Sequence, residues 1–200
     1  MLNEHTKIEV KTKRYRLKAT STTNTYAYCR IAARDALKQA EQSKTGALYF
    51  CMMAGVFAAF TVEAFLNHIG RLKVRNWDAQ ERKLGPQQKL ELLAASQRWS
   101  LDLGKRPFQT LRSMLSLRDS LAHGKTESVA LDVVMRRPPK DDDRWPEPGW
   151  KKLCTVAAAR KMVDDAEAIV KDLSLRWGSS RDPFASLGHG RSGVDEVASN

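Results

Sequence analysis

From Thr45 to Gly70 the chain carries a single charged residue, Glu63, in a run that is otherwise apolar, small or neutral. A helix through such a run is long enough to cross a bilayer, and it is too apolar to lie on a protein surface. Two solutions remain: a membrane span, or the central helix of a bundle wrapped by its neighbours. The sequence favours the second. Ala54, Gly55, Ala58 and Ala59 suit close helix–helix approach, and in a span Glu63 would sit in hydrocarbon. The membrane alternative predicts sedimentation with lipid and insolubility without detergent.

A buried acid needs a partner, and a second misplaced charge supplies the candidate. In the segment that opens near Pro107 and closes near Gly124, Leu111, Met114, Leu115, Leu121 and Ala122 form one stripe at 100° per residue, with Arg118 in its middle. Pairing Glu63 with Arg118 accounts for both charges at once. Asn67 shares the face of Glu63 at i,i+4. Asp119 and His123 are also four apart, which stacks them on the flank beside Arg118, where the carboxylate would orient the imidazole and favour its charged form. Gly124 offers a helix stop. The plainer reading is a short helix that ends with a cation near its C-terminal dipole. Arg118 in the stripe is what weighs against it.

The remaining elements follow from pattern. Ile8 to Leu17 alternates loosely and reads as an extended arm or edge strand, with Lys11, Lys13, Arg14 and Arg16 as candidate phosphate contacts and Tyr15 as a ring able to stack on a base; a solvated tail fits the same residues. Ser21 to Asn24 supplies caps for a first helix reaching about Lys44, with Ala33, Ala36, Leu37 and Ala40 inward. Asn76 to Leu84 is a loop or short helix, and Gly85-Pro86 opens another with Leu90, Leu93 and Ala94 inward. Val129 to Met135 is β-branched and reads as a short strand that would pair with the arm. Residues 136–150 hold four prolines and the acidic run Asp141 to Asp143, an exposed loop. A last long helix covers about Lys151 to Trp177, with Val163, Ala166, Val170 and Leu173 on one side. The expectation is an all-α, up-down bundle of about five helices with a possible β-arm. It divides into a basic arm over 1–20, a helical domain over 21–178 and a disordered Ser/Gly-rich tail over 179–200.

Composition narrows the partners. With 34 Lys and Arg against 23 Asp and Glu, the formal net charge of +11 points to an anionic partner, nucleic acid ahead of a membrane surface. The three cysteines, Cys29, Cys51 and Cys154, lack a C-x-x-C spacing and read as buried reduced thiols. The first eighteen residues hold no signal-type apolar core, so a cytoplasmic protein is expected. No Walker A loop, dinucleotide fingerprint, H-E-x-x-H or G-x-S-x-G motif occurs, and neither metal nor cofactor is expected.

A helical bundle whose penultimate core helix ends in Leu-Arg-Asp-Ser-Leu-Ala-His-Gly-Lys resembles the HEPN superfamily. Its hallmark is an arginine, four to six intervening residues and a histidine, often with Asn, Asp or His directly after the arginine; Arg118, Asp119 and His123 match. Glu63-Ala-Phe-Leu-Asn67 is similar to the segment where many members place a polar residue facing that motif. Gly85-Pro-Gln-Gln-Lys-Leu-Glu-Leu-Leu93 is similar to the lysine-bearing helix start between them. The likeness covers about Ser21 to Gly178. It implies an all-α homodimer in which two Arg/His motifs meet in one basic cleft. Many members are metal-independent endoribonucleases, frequently toxins of defence or toxin–antitoxin systems with a protein antitoxin; others only bind nucleotides or act as scaffolds. Members controlled by a tyrosine two residues after the histidine differ here, because that position is Lys125.

For a ribonuclease, the expected roles are proton transfer at the RNA 2′-hydroxyl or leaving oxygen for His123 and stabilisation of the phosphate by Arg118. Asp119 would hold the imidazole tautomer, Glu63 or Asn67 would fix the guanidinium, and Lys125 would join the arm in binding RNA.

Overall fold

The computed structural model describes residues 14–134, 136–137 and 146–197. Lys11, Lys13, Pro138, Pro139 and the acidic run at 141–143 lie outside them. The described residues form two compact units: the helical one lies within Asn24–Leu187, and the other combines 14–23 with 188–197.

The helical unit holds six α-helices among the described residues: α1 (Thr25–Gln42), α2 (Ala47–Lys73), α3 (Trp77–Glu81), α4 (Pro86–Ser96), α5 (Phe108–Ala122) and α6 (Val156–Arg176). As the apolar run from Thr45 to Gly70 leads one to expect, α2 is the centre. By length and composition it could cross a membrane. In this fold α1, α4, α5 and α6 all pack against it, and Cys51, Ala54, Ala58, Ala59, Val62, Phe65 and Leu66 are buried between them. Two glycines show how close the approach is. A Cβ on Gly55 would stand 2.5 Å from Leu117 Cδ2 and 3.0 Å from Met162 Sδ, so α5 and α6 reach the α2 backbone there. Gly70, expected near the end of the helix, lies inside it; a Cβ there would come within 2.2 Å of the Trp77 indole, and the glycine is a notch for that ring.

Local chemistry explains the boundaries. Pro86 occupies the first turn of α4, and the Gln88 side chain accepts from the Gly85 N–H at 2.8 Å, closing the N-terminus. The expected single helix from Lys151 to Trp177 is broken. A 3-10 turn at Gly149–Leu153 precedes Thr155, whose hydroxyl accepts from the Ala158 N–H at 3.2 Å and starts α6.

The two chain ends depart most from expectation. Ser21 to Thr23 does not cap the first helix but belongs to a strand, β1 (Arg14–Thr23), leaving Asn24 at the cap position. Its side chain donates to the Ser186 carbonyl at 3.0 Å and its backbone N–H to the Leu187 carbonyl at 2.9 Å. Residues 179–187 are accordingly part of the helical unit: Phe184 lies against Tyr26, and the Arg30 guanidinium sits over its ring at 5.3 Å. The disordered tail is corrected further by β2 (Gly188–Val197), which pairs antiparallel with β1 from Arg14↔Val197 to Thr23↔Gly188. Val129–Val134, expected to pair with the arm, has no regular structure. β2 takes that place with a strand exposed throughout its middle, so no buried face marked it in the sequence.

Candidate functional site

Glu63 on α2 and Arg118 on α5 meet. Arg118 Nη2 donates to Glu63 Oε2 at 2.8 Å, with the two side chains 28% and 19% exposed respectively for the acid and the base. The pair lies at the margin of the core, not in its middle. The buried residues of α5 are Thr110, Leu111, Met114 and Leu117, whereas Leu115 and Leu121 are half-buried and Ala122 is exposed. The buried stripe is therefore turned toward Leu117, and Arg118 lies on its edge, half-buried, with its head held between carboxylates. The turn has a cause: the Thr110 hydroxyl donates to Asp165 Oδ2 inside the bundle, which draws that side of α5 inward.

Asp119 does not act as expected. Its Oδ1 accepts from Arg118 Nη1 at 2.6 Å. His123 meets Asp119 through the backbone only, its own N–H donating to the Asp119 carbonyl at 2.9 Å. The i,i+4 argument holds between residues that are both helical, and His123 is the C-cap, with φ −115° and ψ 15°. Its imidazole is exposed and has no hydrogen-bond partner among the described residues. Gly124 does end the helix closely: a Cβ there would meet the Ser120 carbonyl oxygen at 2.7 Å. Lys125 follows, exposed and outside regular structure.

Asn67 is likewise redirected. Its Oδ1 accepts from Lys89 Nζ at 2.8 Å, and Lys89, in the first turns of α4, is 4% exposed. One face of α2 thus holds two cations from different helices, Arg118 on Glu63 and Lys89 on Asn67 one turn on. Electrostatically the Arg118 site is a guanidinium between two carboxylates, which compete with any incoming anion for its charge. Asp119, at 54% exposure, is the exchangeable partner, because water compensates its release far better than it would that of the less exposed Glu63. Arg118 Nε is buried without an acceptor among the described residues.

Two ionic clusters on α6 escaped the sequence reading. Asp165, almost fully buried, is held by Arg106 through Nη2 at 2.7 Å and Nε at 2.9 Å as well as by Thr110. Glu167, also buried, accepts from Arg30 Nε and Arg34 Nε, each at 2.7 Å. Burial pushes its carboxyl up, but the two guanidinium hydrogen bonds and charges outweigh this and hold it below its ordinary range. The pattern Val163-Asp-Asp-Ala-Glu looks like a solvated flank beside the apolar stripe. The unusual feature is a pair of arginines, Arg30 and Arg34, four apart on an alanine-rich helix. His68, which reads as a helix-end residue, is instead interior to α2, with its ring tilted against those of Tyr26 and Phe65, where burial lowers its pKa. Among the described residues no three His, Cys, Asp or Glu side chains come together as a metal site would require.

No family model, curated protein or solved structure matches this chain.

Proposed function

We propose that this chain is a metal-independent endoribonuclease of HEPN type, acting as a homodimer whose two Arg118/His123 motifs share one cleft. The observation that carries the reading is the placement of Arg118. A guanidinium is kept at the rim of the core by an acid on the central helix, one turn before a helix end that presents an exposed histidine. In this reading the scissile phosphate takes the place of Asp119 on Arg118, and Glu63 keeps the guanidinium aimed as negative charge develops. His123 transfers the proton of the 2′-hydroxyl or of the leaving oxygen, two copies supplying base and acid. Asp119 then acts on Arg118, as a stand-in for phosphate, and not on the imidazole. A role as the toxin of a defence or toxin–antitoxin pair, restrained by a protein antitoxin in the cytoplasm, belongs to the same proposal. The test is the chemistry of the ends: the reading requires fragments terminating in 2′,3′-cyclic phosphate, and 3′-hydroxyl ends would refute it.

One observation favours a second reading, a non-catalytic HEPN-like module that binds nucleotide or RNA or serves as a scaffold. Arg118 already has two carboxylates on it. In that case Arg118→Ala lowers thermal stability and there is no cleavage to lose.

A further inference from the structure

The pairing of β1 with β2 sorts residues that the linear sequence scatters. Directly opposed residues in an antiparallel pair share a face, and successive residues alternate faces. One face therefore carries the rungs Arg14/Val197, Arg16/Asp195, Lys18/Gly193, Thr20/Arg191 and Thr22/His189. The other carries Tyr15/Glu196, Leu17/Val194, Ala19/Ser192, Ser21/Gly190 and Thr23/Gly188. On the first face every rung has a basic side chain. The first three come from β1, and where β1 turns to threonine, β2 supplies Arg191 and His189. The second face has none, and its Tyr15, Leu17 and Val194 are 60%, 67% and 64% exposed.

We propose that the basic face of this ribbon is a track for the phosphodiester backbone of an RNA strand. Same-face rungs repeat at about 7 Å, so the track presents cations in a row at a spacing suited to successive phosphates along one chain. Both strands are solvent-exposed along this face, so the cations are available to a ligand. The single carboxylate on the face, Asp195, is spent on Lys18 at 3.0 Å, which leaves Arg14, Arg16 and Arg191 without an ion pair among the described residues. The threonines opposite Arg191 and His189 add hydroxyl donors for phosphate or sugar oxygens. The register also removes Tyr15 from the cation row, so its ring does not stack on a base held by that row. This surface belongs to a different unit of the chain from Arg118 and His123, and it does not depend on catalysis there.

The test uses the full chain carrying His123→Ala, so that RNA stays whole, with a short fluorescein-labelled single-stranded RNA followed by anisotropy from low to high salt. Arg14→Gln/Arg16→Gln/Arg191→Gln is expected to weaken binding about tenfold to a hundredfold at low salt and to flatten log Kd against log[salt] by about 2, at ~0.7 for each phosphate no longer neutralised. The charge-keeping triple Arg→Lys at the same positions should retain the slope, and Asp195→Asn should tighten binding. An unchanged slope in the Gln triple would overturn the proposal. So would an equal loss from Leu17→Gln/Val194→Gln on the opposite face, or a preference for phosphatidylserine vesicles over RNA. Failure of the nuclease reading would show separately, as wild-type protein that binds the RNA through the ribbon and leaves it intact.

Discussion

Arg118→Met, Glu63→Gln and the double variant together measure whether the two helices are joined by charge or only by packing. At 2.8 Å the gross attraction is ~6 kcal/mol for an effective dielectric near 20. Most of it is offset, because both groups lose part of their hydration and two long side chains are fixed. Exposed pairs retain about 0.2–1 kcal/mol and breaking a buried pair costs about 3–5 kcal/mol. With side chains 19% and 28% exposed, this pair falls between those limits, and a coupling of about 1–2 kcal/mol is expected. Arg118→Met keeps most of the aliphatic stem of the side chain, so the cycle reports the charge more than the volume. Each single variant should lower Tm by about 3–6 °C at neutral pH, with the double variant close to either single. Asp119→Asn, more than half exposed, should cost almost nothing. The assay is chemical denaturation with thermal melts by circular dichroism, at low salt and again at high salt, where a partly buried pair keeps most of its coupling. Strict additivity of the two single substitutions would refute the claim that Glu63 and Arg118 stabilise one another.

Two further outcomes follow from the same fold. Glu167 has a folded-state pKa below its unfolded value, so its stabilisation is complete above the unfolded pKa and is lost as pH falls through the folded one; Glu167→Gln should lower Tm at pH 7 and flatten its decline toward pH 3, and a parallel acid limb in variant and wild type would contradict this. Gly55→Ala sets a methyl 2.5 Å from Leu117, and α5 must shift or strain; a loss of about 1–3 kcal/mol is expected in denaturant titration, and no loss would mean the helices stand further apart than described.

The parts of this architecture that are readable in the sequence are those set by burial. α2 is legible because a helical run this long with Glu63 as its single charge before Arg71 is too apolar to lie on a protein surface. The Glu63–Arg118 pair is legible because each charge stands against an apolar pattern and the two are of opposite sign. Where a residue's partner depends on geometry at an element's end, the sequence rule fails. Asp119 and His123 have the right spacing, but the helix stops between them and the neighbouring guanidinium captures the carboxylate. Asn67 meets a different cation from the expected one for a similar reason: Lys89 comes from α4, whose approach to α2 no local pattern specifies. The ribbon is the least legible part. Its strands lie at opposite ends of the chain, neither buries a face, and the basic track exists only once the register is known. Asp165 and Glu167 are hidden differently, since acids beside an apolar helical stripe are usually solvated and nothing local announces arginines arriving from α1 and the segment before α5.

The most direct measurement is a time course of RNA cleavage by the purified full chain in EDTA, wild type against His123→Ala, with circular dichroism confirming that both are folded. The exposed imidazole makes no hydrogen bond among the described residues, so its removal should leave stability unchanged within about 0.5 kcal/mol. Cleavage is expected from the wild type and should be abolished in the folded variant. Equal cleavage by both, or none by wild type across several RNA pools, would contradict this.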